Sequence, residues 1–514
     1  MLFRSVEPKE TPFGRKRQIN QSTCNKDFSC VNGFCPSFVT VEGATRRKQR
    51  GVTIDLTARA AALPQPALPA LERPFNLLVT GVGGTGVITV GAVITMAAHL
   101  EGKGASVLDF TGFAQKFGPV LSFVRIAPDP AELHQVRIDD HSADALIGGD
   151  IVVSSSEKAS RAYGEGMRAV VNLAEMPTGD IVRNRDASLA ATTRLKAIAR
   201  AIGSDAIKSF DANLLAEKIF GETVFANVIL MGAAWQLGLV PVSRDALQRA
   251  IELNGVAVEQ NKQAFACGRL AIADPDFVAS IVGPEQPKEE TLDQLIARRA
   301  AFLTAYQDSS YAAQYTELVA RVRHIEASAG GTSEGLTAAV ARALFKLMAY
   351  KDEYEVARLY TQTDFEQKLR EVFEGDFSIA YHLAPPLLSW RKDARGRPVK
   401  RRFKTGARLM FALLARLKRL RGTPFDLFGY ARDRRIEREL IDWYRTLIDE
   451  LCRELDPADI GIATEIAALP MDIRGYGPVK DQALTAVGKR LADLTTRLRR
   501  PVTAVWPGHA ATPI

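Results

Sequence analysis

One uncharged run, residues 76–100 with the sequence NLLVTGVGGTGVITVGAVITMAAHL, constrains the fold more than any other feature. The run is long enough to cross a bilayer, but five glycines and two Thr-Gly pairs interrupt it. A strand, a glycine loop and a helix explain it better. Further β-type runs follow: ASVLDF (105–110), VLSFVRIA (120–127), DIVVSSS (150–156) and AVVNL (169–173). Strands that alternate with helices predict an α/β domain with a mostly parallel sheet.

The length and composition indicate more than one domain. A chain of 514 residues with 46% hydrophobic and 25% charged residues is typical of a globular protein with two or three domains. We predict a cysteine-rich segment at 1–60, a Pro/Ala linker at 61–74 and the α/β domain at 75–285. From Leu189 the pattern turns helical, most clearly in the amphipathic piece AIELNGVAVEQNKQAFACGRLA (250–271). Strand-like runs are nearly absent later, which predicts a mainly α-helical C-terminal domain at 286–500.

The first residues, MLFRSVEPKETPFGRKRQINQ, are charged and contain proline. They contain no apolar segment of the kind found in secretory signals or membrane anchors, so we expect a cytoplasmic protein with no membrane partner. The net charge of +8 is a mild bias toward acidic partners or ligands. Five cysteines, an odd number, favour metal binding or buried thiols over a disulfide framework.

The glycine loop TGVGGTG has the pattern of a phosphate-binding turn. Gly81, Gly83 and Gly86 satisfy G-x-G-x-x-G between a strand and a helix, and Asp109 lies 23 residues beyond the last glycine. Glycines permit a tight turn, and exposed N–H groups at a helix start attract phosphate. A nicotinamide dinucleotide with Asp109 on its ribose and coenzyme A both fit the pattern. A glycine-rich turn without a ligand is the third interpretation.

Cys24, Cys30 and Cys35 lie within twelve residues in the spacing C-x5-C-x4-C-P. Thiolates in a tight loop favour an iron–sulfur cluster. A zinc site with three cysteines and a histidine is a rival, although no histidine precedes His99, and unliganded cysteines are the other alternative. Cys267 and Cys452 lie in amphipathic segments, where buried inert thiols are expected.

Several longer segments, taken in order, resemble a known family. Together with GVGGTG, the segments at 109–127, 149–159 and 170–180 closely resemble the gamma-type domain of the 2-oxoacid:ferredoxin oxidoreductases. These segments are DFTGFAQKFGPVLSFVRIA, GDIVVSSSEKA and VVNLAEMPTGD. The order continues through FANVILMGAAWQLGLVPVS, LFKLMAYKDEYEVARLYT, RGTPFDLFGYARDRR and DIRGYGPVK, and is similar to the second half of the fused indolepyruvate ferredoxin oxidoreductases. The resemblance implies a Rossmann-like gamma-type domain followed by that family's extra helical domain.

The resemblance also implies an activity shared with other subunits. Family members oxidatively decarboxylate indolepyruvate or a similar aryl 2-oxo acid with coenzyme A, giving an arylacetyl-CoA, CO2 and a reduced acceptor. The half that binds thiamine diphosphate and Mg2+ is missing from this sequence, so a thiamine-diphosphate-binding partner subunit is expected. The implied assembly is a hetero-oligomer with two or more copies, and ferredoxin or another protein is the electron acceptor. No catalytic residue is expected in this chain.

The implied binding residues follow from the matching motifs. The coenzyme A site is expected at Gly81, Gly83, Gly84, Thr85, Gly86, Gln115, Lys116 and Gly118. Lys116 follows a strand and can meet a phosphate or carboxylate as a point charge, although a solvated loop lysine is an equal alternative. A family segment similar to CNKDFSCVNGFCPS is associated with a [4Fe–4S] cluster, so Cys24, Cys30 and Cys35 are expected to supply three ligands and a partner subunit the fourth.

Two other functions compete with this interpretation. An NAD(P)-binding oxidoreductase would use the GVGGTG loop, and a non-catalytic scaffold subunit would keep the fold without iron. The basic run RKDARGRPVKRR (391–402) is interpreted as a solvated loop, with an acidic ferredoxin or an anionic substrate as alternative partners. Nucleic acid is not expected because no helix-turn-helix, zinc finger or aromatic-interleaved strand accompanies the charge.

Overall fold

The structure, a computed structural model, describes residues 6–21, 24, 26–32, 37–47, 55–111, 118–174, 190–283, 290–331, 333–384, 399–404, 406–453, 455–499 and 501–507. The chain divides into two compact units. Unit 1 comprises Met1–Asp27 and Lys48–Gln286, and unit 2 comprises Phe28–Arg47 and Pro287–Ile514. The domain boundaries at 60, 75 and 285 stay a prediction.

Within these residues the strands are β1 (Val6–Lys9), β2 (Lys16–Ile19), β3 (Ser37–Glu42), β4 (Thr45–Arg46), β5 (Phe75–Val82), β6 (Gly104–Thr111), β7 (Pro119–Ala127), β8 (Ala143–Gly148), β9 (Tyr163–Asn172), β10 (Ile207–Phe210), β11 (Phe373–Glu374), β12 (Ser378–Leu383) and β13 (Arg401–Phe403). The helices of unit 1 are α1 (Leu56–Ala61), α2 (Val87–Leu100), α3 (Ile151–Ser154), α4 (Glu157–Ser160), α5 (Ala191–Ile202), α6 (Ala212–Phe220), α7 (Ala226–Gln236), α8 (Arg244–Asn254), α9 (Val258–Ala273) and α10 (Pro275–Val282). Those of unit 2 are α11 (Leu292–Tyr306), α12 (Ser309–Ser328), α13 (Gly335–Met348), α14 (Glu353–Thr361), α15 (Phe365–Val372), α16 (Ala407–Arg416), α17 (Arg432–Cys452), α18 (Ile460–Ala468) and α19 (Pro478–Thr495).

The main sheet of unit 1 has six strands in the order β10-β9-β8-β5-β7-β6. β5 pairs in parallel with β8, β8 with β9 and β9 with β10, whereas β7 lies antiparallel between β5 and β6. All strands except β7 therefore run in one direction. The predicted α/β class with a mostly parallel sheet is confirmed.

Helices cover both faces of this sheet. Leu77 and Val79 of β5 belong to a buried core that includes side chains of α2, α7 and α9, and Leu78 belongs to a second core with α3 and α5. Successive side chains of a strand point to opposite faces. Strands buried on both faces appear as continuous apolar runs, which is why NLLVT identifies β5 without an alternating pattern.

The long uncharged run at 76–100 divides as predicted. It contains most of β5, a glycine turn and all of α2, so its apolar residues lie in a strand and a 14-residue helix. Across the described part of the chain, no helix combines the length and apolar character needed to cross a membrane.

One predicted strand is wrong. DIVVSSS (150–156) contains the short helix α3, and the strand at this place is β8, which the sequence analysis did not identify. The Asp150 side chain accepts a hydrogen bond from the Val153 amide (2.8 Å), and the Ser154 hydroxyl donates to the Asp150 carbonyl (2.6 Å). Such local bonds favour helix starts and oppose the β preference of the apolar residues between them.

Two details of the helical stretch after Leu189 also differ from expectation. The stretch contains β10, which pairs with β9. The amphipathic piece at 250–271 covers parts of two helices, because Gly255 adopts φ 70° and ends α8. Glycine in the left-handed region is the usual helix C-terminal residue.

Helices α7 and α9 pack with their backbones in contact. A Cβ atom added to Gly268 would overlap the Ile229 carbonyl oxygen and lie 2.7 Å from the Ala233 nitrogen. A Cβ atom at Gly232 would overlap the Phe265 carbonyl oxygen in the same way. Glycine is therefore required on both sides of this crossing.

Unit 2 is mainly helical, as predicted, but it also contains a small antiparallel sheet in the order β13-β12-β3. Its central strand β12 pairs along its whole length with β3, which follows the cysteine segment. Strand-like runs were expected to be nearly absent from this half of the chain. The pairing was missed because the partner strand lies more than 330 residues away in sequence, as in Tyr381↔Val39.

Candidate functional site

The carboxyl ends of β5, β8, β9 and β10 lie at one edge of the sheet, since these strands are parallel. After β5 the chain builds β6 and β7 on one side of β5, and after β8 it builds β9 and β10 on the other. The strand order thus reverses between β5 and β8. Ligands of open α/β sheets bind in the crevice outside such a point. The glycine loop 83–86 follows β5 here, and Gly149 follows β8.

Three of the loop glycines, Gly81, Gly84 and Gly86, have a reason within the fold. Gly84 and Gly86 have φ angles of 87° and 97°, in the left-handed region. A Cβ at Gly81 would lie 2.5 Å from Val87 Cγ2 on α2. The Gly83 amide donates to the Gly118 carbonyl (2.7 Å). The fold therefore accounts for these three glycines whether or not a ligand binds.

The start of α2 is nevertheless suited to an anion. Its first flanking residue is Gly86, which has no side chain and makes no side-chain cap hydrogen bond. Unpaired amides and the helix dipole at such an end favour negative charge. The arrangement can accept a phosphate group but does not identify the molecule that carries it.

The predicted site residues are only partly placed. Gly81, Gly83, Gly84, Thr85, Gly86 and Gly118 lie together at the crevice. Gln115 and Lys116 belong to the segment 112–117, between β6 and β7, and lie outside the described residues. Their assignment stays a prediction.

Asn227 of α7 is a site residue that the sequence analysis missed. Its side-chain amide donates to the Thr85 carbonyl (2.6 Å) and approaches the Thr85 hydroxyl (3.3 Å), which itself donates to the Val82 carbonyl (2.7 Å). Asn227 is buried. The motif FANVIL gave no sign of this role, because the asparagine comes to the loop only through the packing of α7.

Asn172, at the end of β9, organises the neighbouring strand ends. Its side chain donates to the Gly149 carbonyl (3.1 Å) and to the Asn213 side-chain oxygen (3.0 Å). Its own oxygen accepts from the Ala212 and Ala174 amides (3.0 and 3.1 Å). A fully bonded buried amide fixes the position of the elements it joins. The crevice is therefore rigid on the β8–β9 side.

We expect Asn227→Ala to loosen the glycine loop. The substitution leaves the Thr85 carbonyl without its donor, which costs about 1–3 kcal/mol in the free energy of unfolding. Urea unfolding measures that loss, and hydrogen exchange should show faster exchange at residues 83–86. Asn261→Ala, which removes an exposed bond to the Val256 carbonyl (2.8 Å), is the control and should change stability by less than about 0.5 kcal/mol. If Asn227→Ala and Asn261→Ala have the same free energy of unfolding, Asn227 does not hold the glycine loop in place.

Asp150 is a buried carboxyl beside the crevice. It is 1% exposed, and its Oδ2 atom has no hydrogen-bond partner among the described residues. Burial raises its pKa to about 6, although amide hydrogen bonds from Val153 and Val152 oppose the rise. Because the pKa of this carboxyl is higher in the folded state than in the unfolded chain, the free energy of unfolding depends on pH.

We expect the ionisation of Asp150 to lower the free energy of unfolding as the pH rises from about 4 to 6. The reason is that the Asp150 carboxyl binds its proton more tightly in the folded state than in the unfolded chain. Asp150→Asn keeps the helix cap but removes this titration. Relative to the parent, the variant should therefore gain up to about 3 kcal/mol between pH 4 and pH 7, as measured by urea unfolding. Asp55→Asn should show the opposite trend, because hydrogen bonds from Gln263 and Ala58 lower the pKa of Asp55. A pH-independent difference for Asp150→Asn would refute the assignment.

Asp109 is poorly placed to contact a ribose. It lies near the end of β6, and β7 separates β6 from β5 and the glycine loop. With strands about 4.8 Å apart, β6 is about 10 Å from β5. In the register of the sheet Asp109 lies opposite Ser122, and neither Asp109 Oδ1 nor Ser122 Oγ has a hydrogen-bond partner within the described residues. The spacing in sequence suggested a dinucleotide site that the strand order does not support.

The cysteine segment is partly described. Cys24 is half-buried, and the Lys26 amide donates to its Sγ atom at 3.4 Å. Lys26 and Phe28 adopt φ angles of 58° and 54°, which is unusual for residues other than glycine. Turns that contain left-handed residues can direct successive backbone amides toward one anion. This local backbone fits a negatively charged thiolate site.

The other cysteines fall into two groups. Cys30 is half-buried in a 3-10 turn at 29–32, and Cys35 lies outside the described residues. Among the described residues, which do not include Cys35, no three His, Cys, Asp or Glu side chains form a metal-binding group. Cys267 and Cys452 are buried, and burial raises the pKa of the Cys267 thiol to about 12. Cys267 is thus a neutral thiol, as expected.

The basic run is described only from Val399 onward. Lys400 donates to the Val31 carbonyl and lies over the Phe38 ring (4.8 Å), so it attaches the turn that contains Cys30 to the small sheet. Arg402 forms an ion pair with Glu42 of β3. These residues of the run have structural partners and are not freely solvated.

Two sequence families match the chain. Residues 76–271 match the family described as "Pyruvate ferredoxin/flavodoxin oxidoreductase", and residues 292–493 match a "Family of unknown function (DUF6537)". Indolepyruvate oxidoreductase subunit IorB of Pyrococcus horikoshii is 26% identical over 201 residues, which cover 38% of this chain and 95% of that protein. The subunit of the same name from Thermococcus kodakarensis is 25% identical over 208 residues, with coverage of 38% and 95%.

A solved structure also resembles the chain. The gamma subunit of keto/oxoacid ferredoxin oxidoreductase from Geobacter sulfurreducens is 22% identical, with a TM-score of 0.28 and coverage of 38% of this chain and 98% of that chain. The matched residues 76–271 contain β5–β10, the glycine loop and the helices that cover the sheet. Residues 76–271 therefore match the pyruvate ferredoxin/flavodoxin oxidoreductase family, and this match supports the resemblance to a subunit of the 2-oxoacid:ferredoxin oxidoreductases that the sequence showed.

Proposed function

We propose that the chain is the gamma-type subunit of an indolepyruvate (arylpyruvate) ferredoxin oxidoreductase. The observation that carries this proposal is the match of 38% of this chain to two relatives named indolepyruvate oxidoreductase subunit IorB over 95% of their length. The complex would convert an aryl 2-oxo acid and coenzyme A to an arylacetyl-CoA and CO2, and the two electrons released would reduce two ferredoxins. Thiamine diphosphate and Mg2+ are assigned to a partner subunit in the same hetero-oligomer.

In this proposal the crevice of unit 1 receives a phosphate of coenzyme A. The left-handed Gly84 and Gly86 open the start of α2, and Asn227 holds Thr85 in place. Gln115, Lys116 and Gly118 would complete the pocket on the β6–β7 side. The part of this chain is to bind and orient the thioester-forming substrate. The acyl chemistry belongs to the cofactor of the partner.

We assign Cys24, Cys30 and Cys35 as three ligands of a [4Fe–4S] cluster, with the fourth ligand from the partner subunit. The amide bonded to Cys24 Sγ and the left-handed Lys26 and Phe28 support a thiolate site of this kind. A bound cluster supplies single-electron transfer between the site of decarboxylation and ferredoxin. Thiolate ligands of this type persist in a reducing compartment, which agrees with a cytoplasmic enzyme.

The NAD(P)-binding alternative is weaker on structural grounds. A dinucleotide fingerprint requires an acidic residue that reaches the ribose from the glycine loop. Asp109 lies on a strand that is not adjacent to β5, because β7 intervenes. The glycine loop without this partner favours coenzyme A as the phosphate-bearing ligand.

The test is an anaerobic assay of the chain co-expressed with a thiamine-type partner. Indolepyruvate, phenylpyruvate, pyruvate and 2-oxoglutarate are compared as substrates, with methyl viologen as acceptor and mass spectrometry to detect the acyl-CoA product. We expect product only when coenzyme A, an aryl 2-oxo acid and both subunits are present. NAD(P) reduction without acyl-CoA formation would contradict the proposal, and preference for pyruvate or 2-oxoglutarate would refute the aryl assignment.

A further inference from the structure

A short stretch of unit 2 exposes an unusual amount of apolar surface. Between residues 409 and 430, seven large apolar side chains are from 38% to 83% exposed: Leu409, Met410, Leu413, Leu417, Phe425, Leu427 and Tyr430. Single exposed apolar residues are normal, but contiguous patches mark interaction sites. We call residues 406–435 the 406–435 surface.

Helix α16 contributes one half of this surface. Leu409 and Leu413 are four residues apart and so share one face of α16, and Leu417 follows directly after the helix. The opposite side of the helix is fixed, because the Phe411 ring lies 5.9 Å from the Tyr360 ring and 5.0 Å from the Tyr381 ring. The apolar stripe therefore faces solvent while the helix itself is firmly packed.

The turn at 421–430 contributes the other half and is held by buried charges. The Arg421 guanidinium donates to both Asp352 carboxylate oxygens (2.6 and 2.9 Å) and lies 3.7 Å from the Tyr306 ring centroid. The buried Asp426 carboxylate accepts from the Gly422 and Gly429 amides (2.9 and 3.0 Å). Phe425, Leu427 and Tyr430 are thus exposed on an ordered turn.

The two halves are neighbours on α14. The Phe428 ring packs on Tyr354 (5.3 Å) near the start of that helix, and Phe411 packs on Tyr360 near its end. Six helical residues span about 9 Å. The stripe of α16 and the turn are therefore both anchored on α14, about two helical turns apart.

The charge of this surface is strongly positive. Between 406 and 435, exposed arginines are Arg408, Arg416, Arg419, Arg432 and Arg435, and the exposed acid is Asp433. Arg408 forms an ion pair with Glu366, whereas the other four arginines form no ion pair with any described residue. Arginine with Phe, Tyr and Met is the composition of protein interfaces. A second copy of the chain would bring like charges together, so the partner should be acidic.

We propose that the 406–435 surface docks an acidic ferredoxin. This inference rests on the proposed function and adds the place at which the electron carrier binds. Phe411 of α16 contacts Tyr381 of β12, and β12 pairs with β3, which begins two residues after Cys35. The helix that carries the apolar stripe therefore packs, through its opposite side, on the small sheet whose strand β3 follows the cysteine segment.

The experiment measures binding of a purified acidic ferredoxin to the full chain in complex with its partner subunit. Isothermal titration at 50 and 300 mM salt is carried out for the parent, Leu413→Asp, and the double variant Arg416→Glu with Arg419→Glu. The matched controls are Val505→Asp and Arg497→Glu, which change an exposed valine and an exposed arginine outside the surface. Circular dichroism verifies folding, which exposed substitutions should leave intact.

We expect the surface variants to weaken ferredoxin binding by about tenfold or more and the controls by less than about twofold. High salt should weaken parent binding and have less effect on the charge-reversed variant. Equal binding by parent and surface variants would overturn the proposal. The proposal would also be overturned if the surface variants bind ferredoxin as the parent does but no longer bind phosphatidylserine vesicles or no longer self-associate. If the parent reduces methyl viologen but does not bind ferredoxin, this inference fails while the proposed function stands. Absence of any substrate-dependent reduction would instead count against the proposed function.

Discussion

Replacing Cys30 with alanine is expected to remove about four irons per protomer from the anaerobically purified complex. The substitution removes one thiolate ligand, and a cluster with an open coordination position is lost to solvent. Iron and sulfide analysis measures the loss, and the EPR signal of the dithionite-reduced cluster should disappear with it. Cys24→Ala should behave in the same way, because the proposal treats both sulfurs as ligands.

Cys267→Ala is the matched control for this experiment. It removes a cysteine whose thiol is buried and neutral, since burial raises its pKa to about 12. We expect the iron content and the EPR signal of this variant to equal those of the parent. Iron that persists in Cys30→Ala would exclude the cluster assignment, and zinc in the parent would favour the zinc site.

Gly268→Ala should be the most destabilising single-methyl change in unit 1. The added Cβ would overlap the Ile229 carbonyl oxygen and press on the Ala233 nitrogen, so α9 must move away from α7. Trp235 packs on Phe265 at this crossing (5.9 Å between ring centroids) and would lose that contact. We expect a loss of about 3 kcal/mol or more in the free energy of unfolding, measured with urea, or failure to fold at 37 °C.

Gly461→Ala adds the same methyl group, but we expect it to change the free energy of unfolding in the opposite direction. Gly461 lies in α18, and a Cβ there meets no atom within 4 Å. Alanine favours helix over glycine by about 0.5–1 kcal/mol, so this variant should be slightly more stable than the parent. If both substitutions have equal effects, the contact between α7 and α9 does not limit stability.

The sequence pattern predicted the structure best where interactions between residues close in sequence determine the secondary structure. The run at 76–100 contains its own turn glycines and apolar residues, so β5, the loop and α2 follow from neighbours in sequence. Local bonds also explain the error at 150–156, because Asp150 and Ser154 form a helix start that the β-type residues concealed. The helical class of unit 2 was predictable for the same reason.

The candidate site was predicted in part. The glycine loop lies at the crevice, as the motif indicated, whereas Gln115, Lys116 and Cys35 stay predictions. Asn227 and Asn172 were not identified, because an asparagine in a helix or at a strand end carries no distinguishing pattern. Their role depends on which groups the fold brings within hydrogen-bond distance of their side chains.

The sequence by itself determined the α/β class, the glycine loop and the helical second half, since each depends on the spacing of residues a few positions apart. The tertiary structure alone decided the strand order that separates Asp109 from the loop, the pairing of β3 with β12 and the contact of Asn227 with Thr85. The strand order depends on the pairing of β7 with β5 and β6, and the other two features join segments from 142 to more than 330 residues apart. Local propensity does not contain that information, because many distant pairings are compatible with the same local pattern.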